Sequence, residues 1–308
     1  MKYYTPMNTI TKQLFQYLCK NFGRKMFTGQ QETPCRGRHE DEVEYVKEVT
    51  GCYPAIRGLD YIHDDFEGVN RRAVQWWKDG GIVTICWHTG VNGGGYKDSQ
   101  NDRPDFEKLL TAGTPEQTKM LESWDRAANA LVELKNAGVP VLWRPFHEFD
   151  GGWFWWGKDG ARTFIRLWRM MYKRFTEKFG LDNLIWVLGY SHLMKSGWNP
   201  GKRYWDIVGS DVYDGTTHQK AWKKLWLRRL SRRPLAFHEC GNLPCPDDFQ
   251  KDGCLWLWFM VWHSNFIREN DRENLIATYR HPLMITREKL PAFPGQDGYG
   301  DEKASTEK

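Results

Sequence analysis

Eight short β-rich runs alternate with helical stretches along the chain, and this alternation restricts the fold more than any other feature. The runs fall at 25–30, 55–61, 82–88, 139–147, 183–191, 207–213, 234–239 and 255–262. Helical patterning occupies 40–49, 69–78, 115–137, 161–178 and 217–230. A further short helix, with Ile10, Leu14, Tyr17 and Leu18 on one face, precedes the first run. Strands that alternate with helices pair in parallel, because each helix carries the chain back to the end where the last strand began. The longest helical segment keeps apolar residues three and four apart and stops at Gly138. Eight β–α units in 308 residues suit a (β/α)8 TIM barrel of the α/β class, folded as a single domain. The rival is an open doubly wound sheet, but the chain has neither a G-x-G-x-x-G nor a Walker loop. The barrel is expected over residues 1–292, with a loose polar tail from 293 to 308.

Charge and cysteine content remove several classes of function. The net charge is +5, with acidic and basic residues interspersed, so nucleic acid is not an expected partner. Only Lys223, Lys224, Arg228, Arg229, Arg232 and Arg233 come near a basic cluster, and they read as the wet face of a helix. Seven cysteines, with no C-x-x-C pair, fit neither a disulfide framework nor a zinc site. No run of eighteen apolar residues exists to span a membrane. The opening MKYYTPMNTITKQLFQYL has no apolar core followed by a small-residue cleavage site. The chain is therefore expected to be cytoplasmic if it is native as given, or extracytoplasmic if a leader was removed. A monomer is expected. Seventeen tryptophans stand out, since cores are ordinarily filled by Leu, Ile and Val. Some of these indoles belong to the core, but flat aromatic faces also stack on the C–H faces of sugar rings.

In such barrels the chemistry is assembled at the C-terminal ends of the strands. The fourth run ends Arg144-Pro-Phe-His147-Glu148, followed by Phe-Asp150-Gly-Gly-Trp153-Phe-Trp155-Trp156-Gly; the seventh ends Phe-His238-Glu239-Cys-Gly-Asn242. Each thus carries a Glu where an apolar strand meets its loop. An acid there is costly unless it is paired or functional. Either Glu alone fits a salt bridge at the barrel rim. Together, with a Trp-rich loop behind one of them, they point to chemistry: two carboxyls about 5–5.5 Å apart suit the double displacement of a retaining glycosidase.

The stretch RPFHEFDGGWFWWG resembles the acid/base motif of glycoside hydrolase family 26, which is largely β-mannanases, and the resemblance runs from Gly29-Gln30 to Trp262. It implies that Glu148 is the general acid/base and that Glu239, in FHECGN, is the nucleophile. It implies a sugar-binding shell as well. His88, in TICWHTG, would reach the sugar beside the cleavage point, and His147 would precede the acid/base. Asp211 would bind the sugar and Tyr213 would donate to the nucleophile, both in GSDVYDG. Trp153 and Trp262 would form aromatic walls. His88 also fits a capping role, Asp211 a loop cap and Trp262 plain core. Asp150 often appears as Asn in the family, so no role is carried over for it.

The resemblance implies an endo-β-1,4-mannanase acting on mannan, glucomannan or galactomannan. The same family also contains β-1,3-xylanases and mixed-linkage β-glucanases, and a carbohydrate-binding barrel without catalysis is the alternative of a different class. Acetal hydrolysis by two carboxyls calls for neither metal nor organic cofactor, and none is expected.

Overall fold

The computed structural model describes residues 5–35, 37–228 and 233–297. Eight parallel strands close into a barrel. They are β1 (Gly29–Gln31), β2 (Ile56–Asp60), β3 (Ile82–Cys86), β4 (Val141–Arg144), β5 (Leu184–Tyr190), β6 (Ile207–Val212), β7 (Leu235–Cys240) and β8 (Phe259–Val261). Every residue of these strands is buried, as expected for a parallel sheet covered by helices on its outer face. Closure rests on the pairing of Gln30 with Val261. A side chain at Gly29 would put its Cβ 2.5 Å from the Phe259 carbonyl, so glycine lets the two ends of the sheet meet.

The helix Pro115–Asn136 lies where its periodicity predicts, with Thr114 as N-cap, Pro at the first turn and Gly138 left-handed just beyond its end. The N-terminal helix Thr9–Asn21 buries Leu14 and Leu18 together with Thr11 and Phe15. The long expected helix over 161–178 is α-helical only through Lys173; its last turn, Arg174–Lys178, widens to a π-helix. The outer helix begins at Gln219, two residues later than expected, and is described through Arg228.

Several sequence expectations need correction. The first run is two elements: Met26–Phe27 pairs with Met284–Ile285 in a separate two-stranded sheet, and only Gly29–Gln31 joins the barrel. The fourth and eighth strands are shorter than their apolar runs. The tail does not begin at 293. Phe293 packs against Trp77 and Tyr17, Gln296 Nε2 donates to the Gly81 carbonyl, and the Asp297 amide donates to Lys78. The chain is fastened through 297, because Phe293 supplies apolar area that a polar tail lacks; residues 298–308 lie outside the described residues. In the basic cluster, Lys223 is exposed, but Arg233 is buried over the Trp205 ring. Arg229 and Arg232 lie outside the described residues. Among the described residues no helix is long and apolar enough to cross a membrane.

Fourteen of the seventeen tryptophans are buried in the core. Of the remaining three, Trp153 and Trp262 are half-buried at the mouth of the barrel, and Trp226 is exposed on the outer helix.

Candidate active site

The last residue of β4 carries a guanidinium into the centre of the barrel. Arg144 is fully buried; its Nη1 donates to Glu239 Oε1 at 3.0 Å and lies 3.2 Å from His238 Nε2, and Nη2 donates to Gln31 Oε1 at 3.0 Å. A buried charge of this kind requires an opposite charge, and Glu239 supplies it.

Beyond Arg144 the chain leaves the strand abruptly. Phe146 and Glu148 both adopt left-handed backbone, with φ of 49° and 52°, which costs non-glycine residues on the order of 1 kcal/mol each. Surrounding bonds hold that geometry. The Glu148 amide donates to the Gly189 carbonyl at 2.8 Å, and the Trp156 indole donates to the His147 carbonyl at 2.9 Å. The buried Asp150 carboxylate accepts from the amides of Ser191 and Lys195 at 2.8 and 2.7 Å, fastening the loop to the end of β5. Asp150 is thus the clamp of this loop. A Cβ on Gly151 would sit 2.2 Å from the Trp153 ring, so glycine there lets the indole fold back and donate to Glu148 Oε2 at 2.8 Å.

Three carboxyls share the mouth, in different environments. Burial first, and then the charge of Glu239, push Glu148 up to about 7, although the Trp153 indole pulls the other way. Burial also raises Glu239, but Arg144, His88 and the Tyr213 hydroxyl, which donates to Oε2 at 3.0 Å, all favour its charged form. Burial, followed by the charges of Glu239 and Glu148, holds Asp211 well above the usual carboxylate range. Among the described residues, Glu239 alone of the three has a cation hydrogen-bonded to it, which favours its charged form.

The histidines form two chains. His88 donates its backbone amide and turns Nδ1 to the Asp60 carboxylate, at 2.9 and 2.5 Å. Burial opposes its charge, yet Asp60 prevails and raises it. Its Nε2 lies 3.0 Å from Nε2 of His147, which burial and the neighbouring cations His88 and Arg144 hold well below the ordinary value. His88 is therefore the donor and His147 the acceptor. In the second chain, His238 links Arg144 to Asp211 Oδ1, 2.6 Å from its Nδ1. Among the described residues, Asp60, Cys86 and His88, and likewise Asp211, His238 and Glu239, bring three donor atoms within 4.8 Å. In both groups the imidazole Nδ1 is hydrogen-bonded to a carboxylate of the same group.

The sequence profile of glycosyl hydrolase family 26 matches residues 5–289. The chain belongs to that family. A mannan endo-1,4-beta-mannosidase of Thermothelomyces thermophilus is 31% identical over 92% of this chain and 61% of its own length. Mannan endo-1,4-beta-mannosidase B of a Piromyces species is 27% identical over 92% of this chain and 52% of its own length. The chain thus spans between half and two thirds of these relatives. Among solved structures, a β-mannanase from a symbiotic protist of the termite Reticulitermes speratus, complexed with gluco-manno-oligosaccharide, superposes with a TM-score of 0.85. It is 28% identical, with 94% of this chain and 98% of that one covered.

In this family 26 barrel, all eight residues singled out from sequence come to the C-terminal mouth. Glu148, Glu239, Asp211 and Tyr213 interact directly, His88 and His147 join through their Nε2 atoms, and Trp153 reaches Glu148. Trp262 donates its amide to the Cys240 carbonyl and sets its ring 6.1 Å from His88 and 5.9 Å from the Arg144 guanidinium. Sequence reading missed Gln31, Asp60 and His238, whose partners lie on other strands. It also missed Tyr96 and Phe154, whose rings stand 5.2 and 5.3 Å from His88. One signal for His238 was available: Gly189 interrupts an otherwise apolar strand and Gly209 lies inside the next one, and a lone glycine inside a strand marks close approach of another group. A cavity of 780 Å³ opens beside Glu148, lined by His192, Met194, Asp211, Tyr213 and Lys224. Another, of 730 Å³, opens on the Asp60 side.

Proposed function

We propose that this chain is a retaining endo-β-1,4-mannanase, with Glu239 as nucleophile and Glu148 as general acid/base. One observation carries the reading: two carboxyls at one mouth, Glu239 buried and Glu148 half-buried, stand in different hydrogen-bonding environments. Glu239 faces Arg144 and Tyr213, whereas Glu148 is pushed up to about 7 and meets the Trp153 indole and the Asp211 carboxyl but no cation within hydrogen-bond distance among the described residues. A pair whose environments separate their proton affinities divides the roles of base and acid. The names of the relatives, mannan endo-1,4-beta-mannosidases over 92% of this chain, support the substrate. Cavities on both the Glu148 and the Asp60 side leave room for sugar units, which favours cleavage within a polymer.

The steps follow from these environments. A Glu239 oxygen attacks the anomeric carbon while the C–O bond to the leaving sugar breaks. The departing oxygen takes the proton of Glu148. The glycosyl ester has no charge on Glu239, so Glu148 loses the neighbour that raised its proton affinity. As a carboxylate it then takes a proton from water as that water attacks the same carbon, and the ester bond breaks to return Glu239. Two inversions preserve the β configuration. The named groups complete the site without a second copy, so the chain is proposed to act as a monomer. Polymeric mannan does not cross membranes, so the enzyme works outside the cytoplasm.

The test is a panel of mannan, β-1,3-xylan and barley β-glucan, with reducing sugar and product configuration followed together. Release of β-configured oligosaccharides from mannan is expected. Activity confined to either of the other polymers refutes the substrate, and α-configured product refutes the double displacement.

A further inference from the structure

His238 precedes Glu239 on the same strand, and in a regular strand the two side chains would point to opposite faces. They do not, because β7 carries one residue too many. Ser210 pairs with Phe237 and Asp211 with Glu239, so the register shifts and skips His238. Such a bulge re-aims a side chain next to a site. The imidazole occupies space that two glycines on neighbouring strands leave open. A Cβ at Gly189 would meet its ring at 2.5 Å, and a Cβ at Gly209 would meet its Cβ at 2.7 Å. The fold therefore gives up side chains on β5 and β6 to seat this one residue.

Its protonation pattern is fixed by its partners. An arginine only donates, so Nε2, 3.2 Å from Arg144 Nη1, is bare. The single ring proton sits on Nδ1 and is donated to Asp211 Oδ1 at 2.6 Å. A second ring proton would point at the guanidinium, and burial with Arg144 alongside holds His238 well below the ordinary histidine value. With Oδ1 occupied as an acceptor, a proton on Asp211 resides on Oδ2, which has no other hydrogen-bond partner. The Asp211 and Glu148 carboxyls lie against one another.

We propose that His238 is a positioning residue that decides where the proton between Asp211 and Glu148 rests and that steadies Arg144 on Glu239. This rests on the roles given above to Glu148 and Glu239. A donor to one oxygen of Asp211 favours its ionised form, opposes the burial that raises it, and so shifts the shared proton toward Glu148, the group that needs it. The acceptor at Nε2 keeps Arg144 turned toward Glu239. The groups facing His238 are Arg144 from β4, Asp211 from β6, Glu239 on its own strand with an oxygen 3.8 Å away, and His147, its ring centre 6.5 Å distant.

Two variants separate the two contacts, read by kcat/KM on manno-oligosaccharide against pH. His238→Gln can offer an oxygen where Nε2 was and has no group at the Nδ1 position. The proton moves toward Asp211, and the alkaline limb, which reports Glu148, falls by about half a pH unit or more, with the acid limb in place. His238→Asn keeps a donor for Asp211 and offers Arg144 nothing. The acid limb, which reports Glu239, rises by a similar amount, with the alkaline limb in place. Folded variants with both limbs unmoved overturn the proposal, as do variants whose two limbs move together. If neither variant folds, Asp211→Asn tests the same link: its amide donates to Glu148, so the alkaline limb falls, and an unmoved limb overturns the proposal. Wild-type protein inactive on mannan would instead refute the functional reading, which keeps the two failures distinct.

Discussion

Replacing Trp153 by Phe keeps a ring folded under the loop and deletes one N–H, the donor to Glu148 Oε2 at 2.8 Å. A hydrogen bond to a charged acceptor contributes about 1.5–3 kcal/mol. The protonated acid also accepts, more weakly, so the difference between the two states of Glu148 is about 1–2 kcal/mol. At 1.36 kcal/mol per unit, that is a shift of about one pH unit. Glu148 starts at about 7, and losing a donor that favoured its charged form moves it upward. In the proposed role Glu148 acts while protonated, so its active fraction at pH 8 should rise from about one tenth to about one half. The alkaline limb of kcat/KM on manno-oligosaccharide therefore moves up by about one unit in Trp153→Phe. At acid pH, where wild type is already protonated, the variant should be slower by about tenfold, since the carboxyl is less well aimed. The melting temperature should barely change, because the ring stays in place. An alkaline limb that stays put or falls would refute the claim that Trp153 sets the proton affinity of Glu148.

Three further outcomes bear on the same site. Glu239→Ala should stay folded and lose several orders of magnitude in rate, with azide partly restoring turnover as an α-glycosyl azide; retention of even about a tenth of the wild-type rate would rule out the nucleophile. Glu148→Ala should lose far more rate on mannan than on an activated aryl glycoside, whose leaving group needs little help, and equal losses would rule out the acid/base role. Glu148→Gln tests the raised proton affinity through stability. Folding disfavours ionised Glu148, so wild type is penalised as pH rises from 4.5 in the unfolded chain through about 7 in the fold, by about 3 kcal/mol. Gln does not titrate, so the variant should gain about that much over wild type between pH 4 and pH 8, measured by denaturant unfolding, and a constant difference would contradict the shift.

The barrel was legible because alternation and burial agree along every strand, and it blurred where a local device intervened. The run over 139–147 reads as one long strand, yet left-handed Phe146 and Glu148 end it early, a backbone choice that apolar patterning does not record. The two glutamates were legible as acids at the ends of apolar runs, and Trp153 because a Gly-Gly step precedes it. His238 was not, because alternation sends it away from Glu239 and only the register shift in β7 turns it inward. Gln31 and Asp60 escaped for another reason: Gln31 meets Arg144 across 113 residues of chain, through the curvature of the barrel, and Asp60 meets His88 across 28, through the pairing of neighbouring strands.

The uneven placement of the tryptophans also governs what this protein's own fluorescence can report. Fourteen indoles sit in the core and sense only the integrity of the packing, so unfolding should change the emission strongly. Trp226 stacks on Trp222 of the outer helix, with the Phe22 ring of the N-terminal helix end tilted beside it, and adds a fixed contribution. Sugar arriving at the mouth displaces water from Trp153 and Trp262 alone, two emitters of seventeen. A titration followed by intrinsic emission therefore reads a small change on a large constant background. Removing both half-buried indoles should silence most of the binding signal while leaving the unfolding signal almost whole.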